Sequence, residues 1–288
     1  MTIKELLQQE TLRLKNNNVE FPHQAAEILL STILKKDKVF LLTYPNKSIS
    51  KQKEILFKKL IQKRITGWSV AVIIGYKYFY NLKFIVNKNV LVPRPETEII
   101  VDEVLKQKDF DILIDLGTGS SCIITSIYKN LNKALQNKIS FYGLDISNKA
   151  LNISKKNSVL HKIKKINFVK SDLMEYFLKN KELLKDKNII ITANLPYLTL
   201  QQIKNSPSIH REPVLALESG PDGLKHYRRL FKELKKLSPL FQSCLIYCEI
   251  DGSQTKNFKS IVKKNYSQAK LRVIQDLSKN DRIISIQI

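Results

Sequence analysis

The sequence predicts an α/β fold built on a mostly parallel, Rossmann-like seven-stranded sheet, preceded by a small N-terminal helical domain and a linking β-hairpin. Three observations carry this. From Asp111 onward, short apolar β-branched runs alternate with helical stretches, the pattern of a parallel sheet covered on both faces. The last two runs have no helix between them, only Asn280-Asp281, which predicts an antiparallel pair at the sheet edge. The first 75 residues carry helix-spaced apolar positions and no strand pattern.

Taken in order, Ile3, Leu6, Leu7, Leu12 and Leu14 recur at loose helical spacing, and residues 25–34 form a stronger amphipathic helix. Pro45 to Ser50 interrupts the pattern, and Ser50 is placed to cap a helix running through Ile55, Leu56, Leu60 and Ile61. Residues 76–92 change character. Tyr76-Lys-Tyr-Phe-Tyr80 and Phe84-Ile-Val86, with Asn81 between them, read as a hairpin. In Pro93-Arg-Pro-Glu-Thr-Glu98, two prolines hold the chain extended, and Glu96 and Glu98 enter a helix at its favourable N-terminal end. Strands are then expected at 112–116, 140–144, 166–170, 188–193, 243–250, 270–274 and 282–287. This gives a helical domain at 1–75, expected to dock a partner or support the fold, a hairpin linker at 76–92 and a catalytic domain at 93–288.

Composition narrows the class. At 288 residues with 43% hydrophobic content, the chain can bury a substantial core. No apolar run approaches the ~20 residues of a membrane helix. The N-terminus carries charge early and lacks a signal core, so a cytoplasmic protein is expected. Cys122, Cys244 and Cys248 are an odd set without zinc spacing and are expected to be reduced and buried; the scattered histidines suggest no metal site. The net charge of +23 is compatible with nucleic-acid binding but does not require it. Of the 49 basic residues 41 are lysines, and the chain is also rich in Asn and Ile, which matches the codon drift of an AT-rich genome.

Two stretches carry the chemistry. Asp115-Leu-Gly-Thr-Gly-Ser-Ser121 follows the first sheet strand, where open parallel sheets bind ligands. Gly117, Thr118, Gly119, Ser120 and Ser121 form a tight loop that lets a nucleotide-type cofactor approach the backbone at a helix N-terminus. Cys122-Ile123 stand where a dinucleotide fold would have its third glycine. Asp145 ends the next strand, 26 positions after Gly119, where its carboxylate can accept two ribose hydroxyls; its alternative is a helix cap. Asp172 can accept from an adenine amino group or cap a helix, and Leu173 can lie on the ring. Asp115 completes a set of three acids at successive strand ends. The second stretch, Asn194-Leu-Pro-Tyr197, can hold a planar nitrogen. The Asn194 oxygen accepts one N–H, and the Leu195 carbonyl, its direction set by Pro196, accepts the other; Tyr197 supplies a flat wall. Together they read as a methyltransferase using S-adenosylmethionine and acting on an amide or amino nitrogen.

With these motifs in place, the chain resembles the HemK/PrmC family of peptide chain release factor N(5)-glutamine methyltransferases. The residues that carry the resemblance are Leu91 to Glu98, Asp115 to Gly119, Gly143 to Ser147, Asn194 to Tyr197, Glu212 to Leu224 with Tyr227-Arg-Arg229, and Cys248 to Gln254. The resemblance implies a class I methyltransferase domain that binds S-adenosyl-L-methionine and leaves S-adenosyl-L-homocysteine. On it, residues 117–121, Asp145, Asp172, Leu173 and Asn194 hold the cofactor, and Arg94 to Glu98 line its methionine end. Asn194, Leu195, Pro196 and Tyr197 hold the glutamine of a Gly-Gly-Gln loop in bacterial-type class I release factors, with Asn194, Pro196 and Tyr197 as the catalytic set. A monomer is expected. The family usually has Asn-Pro-Pro-Tyr. Leu195 departs from it toward the form of ribosomal RNA adenine dimethyltransferases, so a ribosomal protein glutamine or an RNA adenine stays open as substrate. His210 and Arg211 are candidate substrate contacts, whereas Arg228 and Arg229 read as solvated helix residues.

Overall fold

The computed structural model describes residues 1–206 and 209–288. The chain divides into two compact units, Met1–Tyr76 with Lys204–Arg211, and Lys77–Ile203 with Glu212–Ile288.

The first unit is built on α1 (Ile3–Asn16), α2 (Pro22–Leu34), α3 (Lys38–Thr43), α4 (Lys51–Ile65) and α5 (Val70–Ile74). Thr2 and Glu5 start α1 as a reciprocal capping box: the Glu5 N–H donates to the Thr2 hydroxyl oxygen at 3.2 Å and the Thr2 N–H to the Glu5 carboxylate at 2.9 Å. Pro22 opens α2, where its missing N–H costs nothing. Leu6, Leu14, Ala26, Leu29, Leu30, Phe57 and Ile61 form the core. The face of α4 departs from the sequence reading. Ile55 and Leu56 are exposed, as is Leu12 of α1, and the inward row is Glu54, Phe57 and Ile61. Glu54 stays buried because Lys58 and Lys51 reach its carboxylate at 2.7 and 3.4 Å. Ser50 occupies the cap position without a side-chain bond.

A hairpin of β1 (Tyr76–Phe79) and β2 (Leu82–Ile85) follows, all of it but Tyr76 in the second unit. Its two turn residues, Tyr80 and Asn81, both have positive φ, at 49° and 58°, the geometry that matches strand twist in a two-residue turn. A short 3-10 turn at Pro95–Thr97 leads into α6 (Glu98–Leu105). The sheet comprises β3 (Ile112–Leu116), β4 (Ser140–Asp145), β5 (Ile166–Lys170), β6 (Asn188–Ala193), β7 (Ser243–Glu249), β8 (Lys270–Gln275) and β9 (Asp281–Gln287), in the order β5-β4-β3-β6-β7-β9-β8. The first five strands are parallel; β9 runs antiparallel between β7 and β8, leaving β8 as the edge. The intervening helices are α7 (Cys122–Asn130), α8 (Lys133–Lys138), α9 (Asn148–Leu160), α10 (Glu175–Lys179), α11 (Leu200–Lys204), α12 (Lys225–Leu237) and α13 (Thr255–Asn265).

Strand residues alternate between two cores, as the pleat requires. Ile112, Ile114 and Leu116 of β3 join Ile189, Ile191, Cys244 and Ile246 against Tyr227, Phe231 and Phe258 of α12 and α13. Leu113, Ile190 and Tyr247 point the other way, against α6 and α7. Every residue of β3 is buried, which explains why apolar residues fill both its faces with only Asp115 among them. The chain winds from β3 out through β4 and β5, then returns to place β6 on the other side of β3. The carboxyl ends of β3 and β6 therefore flank a topological switch point, where such sheets open a crevice. Among the described residues, no helix is long and apolar enough to cross a membrane.

Candidate active site

The loop after β3 supplies the floor of that crevice. Gly117 and Gly119 have φ of 66° and 53°, a conformation that side chains resist. A Cβ on Gly117 would also stand 3.2 Å from the Leu195 Cδ2 of the loop after β6. The two loops thus meet over a glycine. Asp115 lies beneath them. It is 1% exposed, shares the α7 side of β3 with Leu113, and accepts from Thr118 Oγ1 at 2.6 Å and Thr192 Oγ1 at 2.7 Å. Burial pushes its carboxyl up to about 6. It braces β3 to β6 and does not line the crevice, so the set of three cleft-facing acids reduces to two. Ser121 is also absent from the lining. It is fully buried, its hydroxyl lies 3.5 Å from the Ser154 carbonyl, and it accepts from Thr125 Oγ1 at 3.2 Å. Thr118, Gly119 and Ser120 do line it.

Asp145, at the end of β4, faces the crevice while holding its own turn. Its Oδ2 accepts from Gly119 N–H at 3.0 Å and its Oδ1 from Ser147 N–H at 2.8 Å. The cap of α9 is Ser147, which accepts from Ala150 N–H at 3.3 Å. Each carboxylate oxygen of Asp145 keeps a second lone pair for a ligand hydroxyl. Burial raises its pKa, so a bound diol would replace lost water. Asp172 lines the crevice but is ion-paired to Arg229 at 3.0 Å, and Leu173 lines it with φ of 51°.

The loop after β6 faces this floor. Asn194, Leu195 and Pro196 line the crevice; Leu195 is buried in the sheet core and Tyr197 packs against it. Tyr197 is not among the lining residues, and its hydroxyl donates to Glu249 Oε1 at 3.1 Å. Asn194 Nδ2 donates to Thr97 Oγ1 at 3.1 Å, and Thr97 Oγ1 donates to Glu249 Oε2 at 2.6 Å. The opposite end of that amide, Oδ1, is buried and accepts no hydrogen bond among the described residues. Such an atom costs ~1–3 kcal/mol unless a ligand satisfies it.

The crevice opens to solvent, with about 1180 Å³ of non-atom space when its mouth is included. Pro93, Arg94 and Thr97 complete one wall. Glu212 anchors that wall through Arg94 at 2.7 Å and the Val92 N–H at 3.3 Å. Two lining residues, His226 and Arg229, were not expected; they sit three apart on α12, whose placement beside the crevice follows from the turn at Gly220–Gly223. Arg228 is tied to Asp222. Arg211 is used in the helical unit, where it donates to the Thr66 carbonyl at 3.0 Å and lies over Trp68; His210 contacts the Lys204 carbonyl at 3.2 Å.

This donor set fits an adenosyl group with a charged tail: left-handed glycines where backbone approaches, a half-satisfied carboxylate after the second strand, and apolar Leu144, Ile146 and Leu173 around the slot.

Comparison with known proteins agrees. The PrmC N-terminal domain family matches residues 5–75 and a methyltransferase domain family matches residues 107–275. A release factor glutamine methyltransferase of Thermodesulfovibrio yellowstonii is 34% identical over 279 residues, 94% of each chain. One from Bacillus subtilis is 31% identical over 271 residues, covering 90% of this chain and 89% of its own. A bifunctional methyltransferase of Rickettsia typhi is 30% identical, with this chain spanning 57% of it. Among solved structures, the hMettl16 catalytic domain superposes with a TM-score of 0.53 at 16% identity, over 72% of this chain and 75% of that one. The chain is an S-adenosylmethionine-dependent methyltransferase, and it belongs to the release factor glutamine methyltransferase family.

Proposed function

We propose that this enzyme methylates the side-chain amide nitrogen of the glutamine in the Gly-Gly-Gln loop of bacterial-type class I release factors, in the cytoplasm. The observation that carries this reading is Asn194 on the crevice wall, with its Nδ2 held by Thr97 and its Oδ1 left without a hydrogen-bond partner among the described residues. A lone acceptor there calls for a donor on the substrate, and a primary amide N–H is one. The relatives, release factor glutamine methyltransferases, point to the same substrate class. S-adenosylmethionine supplies, when bound, an electrophilic methyl group on a sulfonium.

The chain's own residues then have four tasks. Asp145 binds the ribose hydroxyls, and Leu173 with Ile146 sandwiches the adenine. Asn194 Oδ1 takes one amide hydrogen and the Leu195 carbonyl the other, which orients the nitrogen's delocalised lone pair toward the methyl group. Leu195 precedes Pro196, so its backbone stays extended and its carbonyl keeps one direction whichever side chain it carries. That side chain is buried against Gly117, and this gives Leu195 a packing role in place of the usual proline. No strong base is required for a nitrogen held in line: as the C–N bond forms the C–S bond breaks to leave S-adenosylhomocysteine, the amide becomes strongly acidic, and its surplus proton passes to solvent; alignment supplies the rate. Residues 1–75 serve as the docking domain for the release factor in this reading.

Replacing Asn194 with Ala tests the assignment. Turnover on a release factor should fall by at least ~100-fold, as for loss of a preorganised polar group, while S-adenosylmethionine affinity measured by calorimetry changes little. Unchanged turnover would remove Asn194 from the mechanism.

A further inference from the structure

Glu249 is 1% exposed at the end of β7, and no side-chain ion pair among the described residues neutralises it. Its carboxylate is held by two hydroxyl donors, Thr97 at 2.6 Å and Tyr197 at 3.1 Å. A cation in its field, Arg282, is itself ion-paired to Asp276 at 3.1 Å. A buried carboxylate costs several kcal/mol to keep, so its retention beside the crevice calls for a role.

The hydrogen count supplies one. With Glu249 ionised, Thr97 spends its single hydroxyl proton on Oε2. Toward Asn194 its oxygen can then only accept. The group standing 3.1 Å away is then the Asn194 NH₂, which leaves Oδ1, buried and without a partner among the described residues, as the free end of the amide. With the amide reversed, Thr97 would have to donate to Oδ1, and Glu249 would lose a donor in a site closed to water. The NH₂ would then face the crevice, where it would repel an amide N–H. We propose that Glu249 and Thr97 are positioning residues for methyl transfer: the buried carboxylate, acting through the Thr97 hydroxyl, dictates which end of the Asn194 amide meets the substrate. This rests on the reading that Asn194 Oδ1 accepts from the substrate nitrogen.

The test is steady-state kinetics on a purified release factor, with cofactor affinity measured by calorimetry and active sites counted by the same titration. Glu249→Gln is isosteric but can donate to the Thr97 oxygen, which frees the Thr97 proton for Asn194 Oδ1 and permits the reversed amide. Its kcat per active site should drop on the order of tenfold to hundredfold, with KM for the release factor and cofactor affinity within about threefold of wild type. Thr97→Val should match that loss, and Thr97→Ser, which keeps the hydroxyl, should recover kcat to within about threefold. Because the two residues act in series, the double variant should lose no more than Thr97→Val alone. A merely structural role would lower folded fraction and cofactor affinity and leave kcat per active site intact. Wild-type kcat in Glu249→Gln, or a Thr97→Ser variant as impaired as Thr97→Val, overturns the inference. A wild-type enzyme inactive on release factors would overturn the substrate reading instead.

Discussion

Gly223 gives a sharp steric test of how the substrate loop is supported. Its φ is 71°, and a methyl group on it would overlap the Tyr197 carbonyl oxygen and the Gln254 amide nitrogen, with the Tyr197 carbonyl carbon at 2.9 Å. Gln254 bridges the same place: its Nε2 donates to the Tyr197 carbonyl at 2.7 Å and to the Asp222 carbonyl at 3.1 Å. Gly223→Ala therefore imposes a left-handed strain of ~1–2 kcal/mol and breaks a bridge whose hydrogen bonds contribute about 1 kcal/mol each. The stability loss should be on the order of 3 kcal/mol, a fall in Tm of roughly 10 °C for a domain of this size. The overlapped atoms belong to backbone and to a packed amide, so the two segments must part by ~1.4 Å to reach ordinary contact. A misplacement of that size at a reacting group costs on the order of 100-fold in rate. Gly223 does not itself line the crevice, so cofactor affinity should hold within about threefold. The assay pairs a thermal melt with kcat and a calorimetric cofactor titration. A Gly223→Ala enzyme with kcat within twofold of wild type would refute the claim that this contact sets the Asn194–Tyr197 geometry.

Other outcomes follow from the acids. Asp145→Ala should weaken S-adenosylmethionine binding by ~1–3 kcal/mol, the loss of a charged hydrogen-bond partner; a wild-type dissociation constant would remove Asp145 from the ribose site. Asp115 has a folded-state pKa near 6 against a reference of 3.8, so its buried anion costs stability at neutral pH, and the cost is relieved as pH falls through 6. Between about pH 7.5 and about pH 5, wild type should gain ~1.4 kcal/mol of unfolding free energy relative to Asp115→Asn, measured by urea melts. A pH-independent difference would contradict the burial argument.

The sheet was legible because short β-branched and apolar runs, densest in the buried β3 and β6, alternate with helical stretches from β3 to β7. The helical unit was less so. Apolar and charged residues share both faces of α4, and Phe57 with Ile61, not Ile55 with Leu56, faces inward because Lys51 and Lys58 neutralise Glu54 there. Motif spacing located Gly117, Gly119, Asp145 and Asn194 at strand ends. It did not reveal side-chain direction: Asp115 lies inside β3 on the helix side of the pleat, and Ser121 turns under the loop. The Thr97–Glu249 link spans 152 positions and the Asn194–Thr97 link 97, so only the folded sheet brings them together. His226 and Arg229 carried one faint signal, their spacing on a helix that begins after Pro-Asp-Gly.

The most direct test of the central claim is methyl transfer from labelled S-adenosylmethionine with two substrates side by side: a purified release factor with its Gly-Gly-Gln loop, and ribosomal RNA in small-subunit particles. The account predicts label on the release factor, mapped by mass spectrometry to the glutamine side chain, with Leu195 tolerated as a packing residue. Label on the RNA alone would contradict it, making Leu195 and the +23 charge the marks of an RNA substrate on the same fold.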